Sequence, residues 1–272
     1  LTDSFLALSG AYVPGPGDSF TILTATSITG EFAGLPNGSQ IIFNNRPMLL
    51  TYETDRVVLS ILATPFFNGA DGDAEFEVQV VAGILQVILN GTTVLDAPVS
   101  LFNSLTLNGL GGNDTFDVLT SLGSLGRLNL RGDEGDDTFG KDQKIVLQNG
   151  PATTLSIDGG AHQQGDVLNL DVTALPRPLF LDATTGRVAA NGANLPIDFT
   201  RVESINLCLE GQQLAELLPG DLFVLATDDS ERIIVSGGTE VDIRIGSTYY
   251  RDFRPAGRVV IFGQGGDDQI IA

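Results

Sequence analysis

The 272 residues suffice for one large all-β domain or two ordinary ones with a continuous core. A hydrophobic share of 42% excludes a disordered chain, and no apolar run approaches the ~20 residues of a membrane helix. With 34 acidic against 14 basic residues the formal net charge is −20, which excludes nucleic acid and anionic membrane surfaces as partners and makes a divalent cation the obvious neutralising species.

The chain opens at Leu1 with neither an initiator methionine nor a secretory leader, as expected of a processed form or a part of something longer. Pro14-Gly15-Pro16-Gly17-Asp18 reads as a turn. Strands are expected at 20–24, 40–43 and 56–61. A boundary near residue 62 divides an N-terminal β region, 1–61, from a larger one, 62–272. The first is either a separate module or the opening turns of the second.

From residue 105 a short frame recurs: apolar, any, apolar, any, then Gly or a substitute. It reads Leu105-Thr106-Leu107-Asn108-Gly109, Leu128-Asn129-Leu130-Arg131-Gly132 and Leu155-Ser156-Ile157-Asp158-Gly159. Weaker copies begin at Leu179, Ile205, Ile233 and Val259, and the spacings are 23, 27, 24, 26, 28 and 26. Period-2 alternation marks strands with one buried face. Near-constant spacing of such strands predicts a right-handed parallel β-helix, or β-solenoid, with turns of about 25 residues. The competing arrangement is a β-sandwich, whose strands recur more often, every ~8–12 residues. One helix is expected, at 212–218, with Leu214, Leu217 and Leu218 on a shared face and Pro219-Gly220 as its stop. Cys208, the single cysteine, excludes an intrachain disulfide and reads as structural. Neither end of the repeat shows a recognisable polar cap.

Several frame copies lead into a Gly/Asp loop. These are Gly109-Leu110-Gly111-Gly112-Asn113-Asp114-Thr115-Phe116, Gly132-Asp133-Glu134-Gly135-Asp136-Asp137-Thr138-Phe139 and Gly263-Gln264-Gly265-Gly266-Asp267-Asp268-Gln269-Ile270. A longer variant runs from Gly159 through His162 to Asp166 and Leu168. Calcium takes 6–8 oxygens from carboxylates and carbonyls, and glycines let a loop curl several carbonyls toward one centre. Phe116, Phe139, Leu168 and Ile270 are expected to plug into the core. Stacked Asp114, Asp137 and Asp166 would repel one another without a cation. The expected calcium ligands are Gly109, Gly111, Asn113, Asp114, Gly132, Asp133, Glu134, Asp136, Asp137, Asp158, Asp166, Gly263, Gly265, Asp267 and Asp268. The run Gly69-Ala70-Asp71-Gly72-Asp73 shares the Gly/Asp composition but departs from the loop pattern, with Ala74 at the sixth position.

At these loops the chain resembles the hemolysin-type (RTX) calcium-binding proteins, whose nonapeptide is G-G-x-G-x-D-x-U-x. The family's repeats run in tandem every nine residues, whereas these loops come once per ~25. The resemblance therefore implies a wider β-helix with one calcium-type corner. A second resemblance lies in 17–61, in Gly17-Asp18-Ser19-Phe20-Thr21-Ile22-Leu23, Thr29-Gly30-Glu31-Phe32-Ala33-Gly34-Leu35-Pro36, Leu50-Thr51-Tyr52 and Val57-Val58-Leu59. It is similar to a repeat of autotransporter-like passengers and other large bacterial surface proteins, and implies an extracellular β-solenoid.

The expected function is that of an extracellular structural protein of a bacterial cell surface. It would be calcium-stabilised, part of a filament, tube, surface layer or giant surface protein, and partnered end to end by itself or by neighbouring repeats. One alternative is an adhesin. The other is a calcium-dependent polysaccharide-active β-helix enzyme. Enzyme chemistry is not expected: His162, the single histidine, reads as a solvated loop residue, the only lysines are Lys141 and Lys144, and tryptophan is absent.

Overall fold

Apolar residues alternating with polar ones form strands whose apolar side is buried in Ser104–Gly111, Arg127–Glu134 and Thr154–Ala161. The structure, a computed structural model, describes residues 1, 3–141, 144–147, 153–238 and 240–272. It is all-β, with four sheets, none of them closed.

Two of the sheets contain runs of parallel strands in matched order. In the first run Phe66–Asn68, Ser104–Gly111, Arg127–Glu134, Thr154–Ala161 and Ala193–Thr200 lie side by side. In the second, Glu75–Val81, Thr115–Val118, Thr138–Phe139, Val167–Asp171 and Ser204–Leu209 do the same. Each strand of the first run is followed in sequence by one of the second. The Gly/Asp loops are the corners between them.

Register aligns like with like. Leu105, Leu128, Leu155 and Ile197 fall in one row of the first run. Phe76, Phe116, Phe139, Leu168 and Ile205 fall in one row of the second. The three phenylalanines are fully buried, with centroids 5.1 and 5.0 Å apart and interplanar angles of 5° and 12°. A residue at that row meets its counterpart above and below, so one apolar choice per turn extends the core.

Hairpins cover both margins of the second run. Glu75–Val81 pairs antiparallel with Ile84–Leu89, and Ser204–Leu209 pairs antiparallel with Gln212–Leu217. The helix expected at 212–218 is corrected. Glu210 and Gly211 both take left-handed φ, 50° and 78°, and form the two-residue turn that a twisted hairpin favours. Leu217 is buried while Leu218 is 48% exposed, so the leucines share no helical face.

The recurring frame mixes two kinds of strand. Its copies at Leu105, Leu128 and Leu155 precede a corner, whereas those at Ile205 and Ile233 lie in strands that follow one. The true successor of Leu155 is Ile197. The copy at Leu179 does form a strand, Leu179–Asp182, but it runs antiparallel to both its neighbours.

Residues 19–61 form a four-stranded antiparallel sheet around Met48, Leu50, Val57 and Leu59. The strands expected there are present, with Arg46–Tyr52 added. The Gln40 amide bonds the margin of the first parallel run, donating to Phe66 O at 2.6 Å and accepting from Phe66 N at 3.0 Å. A fourth sheet joins Arg232–Gly237, Val241–Ile245, Thr248–Phe253 and Gln269–Ile271.

The plug positions divide by burial. Phe116, Phe139 and Leu168 are fully buried, whereas Ile270 is 49% exposed, contrary to expectation. Phe116→Ala is expected to lower the unfolding free energy by about 3–5 kcal/mol, and Ile270→Ala by no more than ~0.5 kcal/mol. Urea denaturation of both variants beside the parent checks this.

Candidate functional site

A corner interrupts strand pairing, so its backbone N–H groups need other acceptors. Two rows of side chains supply them, one on each side of the corner, and they point opposite ways along the stack.

The inner row is Asp114, Asp137, Asp166 and Glu203. Each accepts from the turn that precedes it in sequence: Asp114 Oδ1 from Ala74 N at 2.7 Å, Asp137 Oδ1 from Asp114 N at 2.8 Å, and Asp166 Oδ1 from Asp137 N at 2.7 Å. Glu203 Oε2 continues the row, accepting from Asp166 N at 2.9 Å. Asp268 repeats the arrangement in the last corner, taking Glu231 N at 3.0 Å. Ala74 stands at the same position in the first corner, below Asp114.

The outer row is the residue just before: Asp73, Asn113 and Asp136. These accept from the turn that follows. Asp73 Oδ1 takes Asn113 N at 2.8 Å, and Asn113 Oδ1 takes Asp136 N at 2.9 Å. Asp136 Oδ1 takes Gln163 N, Gln164 N and Gly165 N at 2.8, 2.6 and 3.1 Å. In the last corner Ser230 Oγ accepts from Asp267 N at 2.9 Å.

The inner carboxyls are crowded against glycine. A Cβ on Gly109 would overlap Asp114 Oδ2 and lie 2.6 Å from Gly132 O. A Cβ on Gly132 would likewise overlap Asp137 Oδ2 and Gly159 O. Glycine is required at these two positions because the second carboxyl oxygen and a carbonyl oxygen share the space a side chain would fill. Asp114, Asp137 and Asp166 are at most 1% exposed, and the Oδ2 of each lacks a hydrogen-bond partner.

Burial pushes the Asp114 carboxyl up to about 7 and the Asp137 carboxyl up to about 6, with neighbouring aspartates pushing the same way. The Asp166 carboxyl is raised for the same first reason. The N–H bonds to Oδ1 oppose these shifts without cancelling them. Asp136, next in sequence to Asp137, behaves oppositely: three backbone N–H donors hold its carboxyl below the usual carboxylate range.

The residues expected to bind calcium are thus distributed over several places. Asp114, Asp137 and Asp166 lie inside the corner, bonded to the backbone. Gly109 and Gly132 make room for those carboxyls. Gly111, Asn113, Asp133 and Glu134 border an open groove outside the corner, with Asp71 and Arg201. Asp158 lies in Thr154–Ala161 and is ion-paired with Arg201. Gly263, Gly265, Asp267 and Asp268 form a corner of their own between Val259–Phe262 and Gln269–Ile271. Among the described residues, the one convergent set of three His, Cys, Asp or Glu side chains is His162, Asp166 and Glu203. His162, expected to be solvated, places Nδ1 3.1 Å from Glu203 Oε2. Glu203 had no signal in the sequence, because its corner has no Gly/Asp loop. Cys208 is buried.

Compared with known proteins, the chain matches no family model, no curated protein and no solved structure.

Asp114 has a folded-state pKa above its unfolded one. Its contribution to stability is therefore complete below about 4 and is lost as pH rises through about 7. Asp114→Asn places a neutral amide there at every pH. The variant is expected to match the parent near pH 4.5 and to exceed it at pH 8.5, read as thermal midpoints of the two proteins across that range.

Proposed function

We propose that the chain is a structural segment of an extracellular protein, a β-solenoid whose turns are fastened along one corner. The observation that carries the reading is the pair of opposed hydrogen-bond rows. They use the acidic loop residues as connectors between successive turns. The in-register rows of Leu105, Leu128 and Leu155, and of Phe76, Phe116 and Phe139, support the same reading over a sandwich. Parallel runs joined by corners make a stiff body that extends by adding turns.

A structural role suits the distribution of reactive side chains. Cys208 is buried, and the second carboxyl oxygens of Asp114 and Asp137 are enclosed. The resemblance at 17–61 supports a place on the bacterial cell surface, with end-to-end partners of the same kind.

Calcium enters this reading from outside the corner. Asp71, Asp133 and Glu134 border the groove there, and the net charge of −20 calls for a counter-ion. The inner row is occupied by backbone donors and serves a different purpose. Extracellular calcium modules work at ~0.1–1 mM, so ~10 mM calcium adds about 1–3 kcal/mol to a folded state that binds it.

The test combines shape and ion. Negative-stain microscopy and small-angle scattering are expected to show a rod, and the thermal midpoint at pH 8 to rise with calcium and fall back with chelator. The paired change Asp133→Asn and Glu134→Gln should remove most of that rise. A compact two-sheet globule would overturn the solenoid. A calcium response unaffected by the paired change would overturn the groove.

A further inference from the structure

We propose that His162, Asp166 and Glu203 form a binding site for a divalent transition-metal ion of the zinc class. This goes beyond the structural reading and does not depend on it.

The site arises from a departure in one corner. The loop 159–166 is two residues longer than 109–114 and 132–137. The longer loop carries His162 back over its own aspartate, with Nδ1 3.8 Å from Asp166 Oδ2. Glu203 arrives from the following turn, with Oε2 3.1 Å from the same ring nitrogen. All three ligand atoms lie within 4.8 Å of one another. An ion bound at ~2.0–2.2 Å in tetrahedral geometry holds its ligand atoms roughly 3.2–3.6 Å apart, so small side-chain rotations suffice.

A second observation points to a ligand. The Asp166 side chain is fully buried, and its Oδ2 has no hydrogen-bond partner. At Gly109, Gly132 and Gly159 alike, the space of a Cβ holds this oxygen and a carbonyl oxygen. Among the three aspartates Asp166 alone also has an imidazole, 3.8 Å away, and a second carboxyl gathered beside it. The supporting shell is in place as well. Asp166 Oδ1 is held by Asp137 N at 2.7 Å and Glu203 Oε2 by Asp166 N at 2.9 Å, which fixes both carboxyls. Gly165, at φ 129°, allows the approach of Glu203, whose Cβ would lie 2.9 Å from a Cβ placed there.

The donor set selects the ion. One imidazole nitrogen with two carboxyl oxygens suits zinc and its neighbours, whereas calcium wants six or more oxygens. His162 and Glu203 side chains are 33% and 31% exposed, so the ion has an entry path and an open position for water. A bound ion would tie the loop 159–166 to the next turn, where the parallel run gives way to the hairpin of Gln212–Leu217.

The test uses the full chain without a histidine tag, stripped of metal by chelator. Titration calorimetry with zinc is expected to show one ion per chain. Cobalt is expected to add the visible absorption of a four-coordinate site, displaced by zinc. His162→Ala and Glu203→Gln are expected to weaken zinc at least about tenfold while keeping the parent's circular dichroism. Absence of saturable zinc binding would overturn the proposal. So would zinc binding that His162→Ala leaves unchanged, or displacement of zinc by equimolar calcium.

Discussion

The backbone N–H groups at the corners set the terms for the rest of the molecule. Within the strands the backbone N–H groups pair with carbonyls of neighbouring strands. At a corner the chain changes direction, ladder pairing lapses, and an unmet N–H at a buried corner costs about 1–3 kcal/mol. Adjacent residues meet this need from both sides, Asp137 accepting from the turn before and Asp136 from the turn after. The corners at 113–114 and 136–137 are thereby tied to both of their neighbours by side-chain bonds, in addition to the strands they join.

Much else follows from placing a carboxyl inside. Oδ1 is used by the N–H, and Oδ2 has to lie somewhere without solvent. The space above Gly109 and Gly132 receives it. The corner also needs a left-handed residue directly after that glycine. Leu110, Asp133 and Gln264 take φ of 79°, 70° and 73° at the equivalent place. A leucine with positive φ is uncommon, and the bonds on both sides of the corner hold it there. The inner aspartates and outer Asp136 then sit in opposite electrostatic conditions, one enclosed beside carbonyls and the other wrapped by N–H donors. Sequence neighbours with the same side chain thus have different chemistry.

The alternation of Leu105, Leu128 and Leu155, the recurrence of Gly/Asp loops and the burial of Phe116 and Phe139 were all legible in the chain, because each is a local pattern. The partners of the carboxyls were not. Asp114 bonds to residues 40 positions before and 23 after it, and no local rule favours a backbone N–H over an ion. Charge alone makes the acidic loops read as an ion site. Hydrogen bonding from the backbone offers the same oxygens another use. The frame misassigned Ile205 because strands before and after a corner carry the same alternation, and only pairing distinguishes them. The hairpin after Leu209 was written in Glu210-Gly211, a turn signal outweighed by the leucine spacing beyond it. His162 and Glu203 meet only because one loop is longer and the next corner is shorter, which no spacing within either segment reveals.

The central claim is that the inner aspartates are buried, backbone-bonded connectors, and that burial raises the Asp114 carboxyl to about 7. It is tested most directly by carbon-detected NMR titration of the Asp114 carboxyl in metal-free protein, with Asp114→Asn to assign the signal. The account predicts a midpoint near 7, far above the ordinary aspartate value of ~3.9. A midpoint in the ordinary range would contradict it. The row would then be a stack of buried charges, and a bound cation would have to replace the proton as the species that holds the corner together.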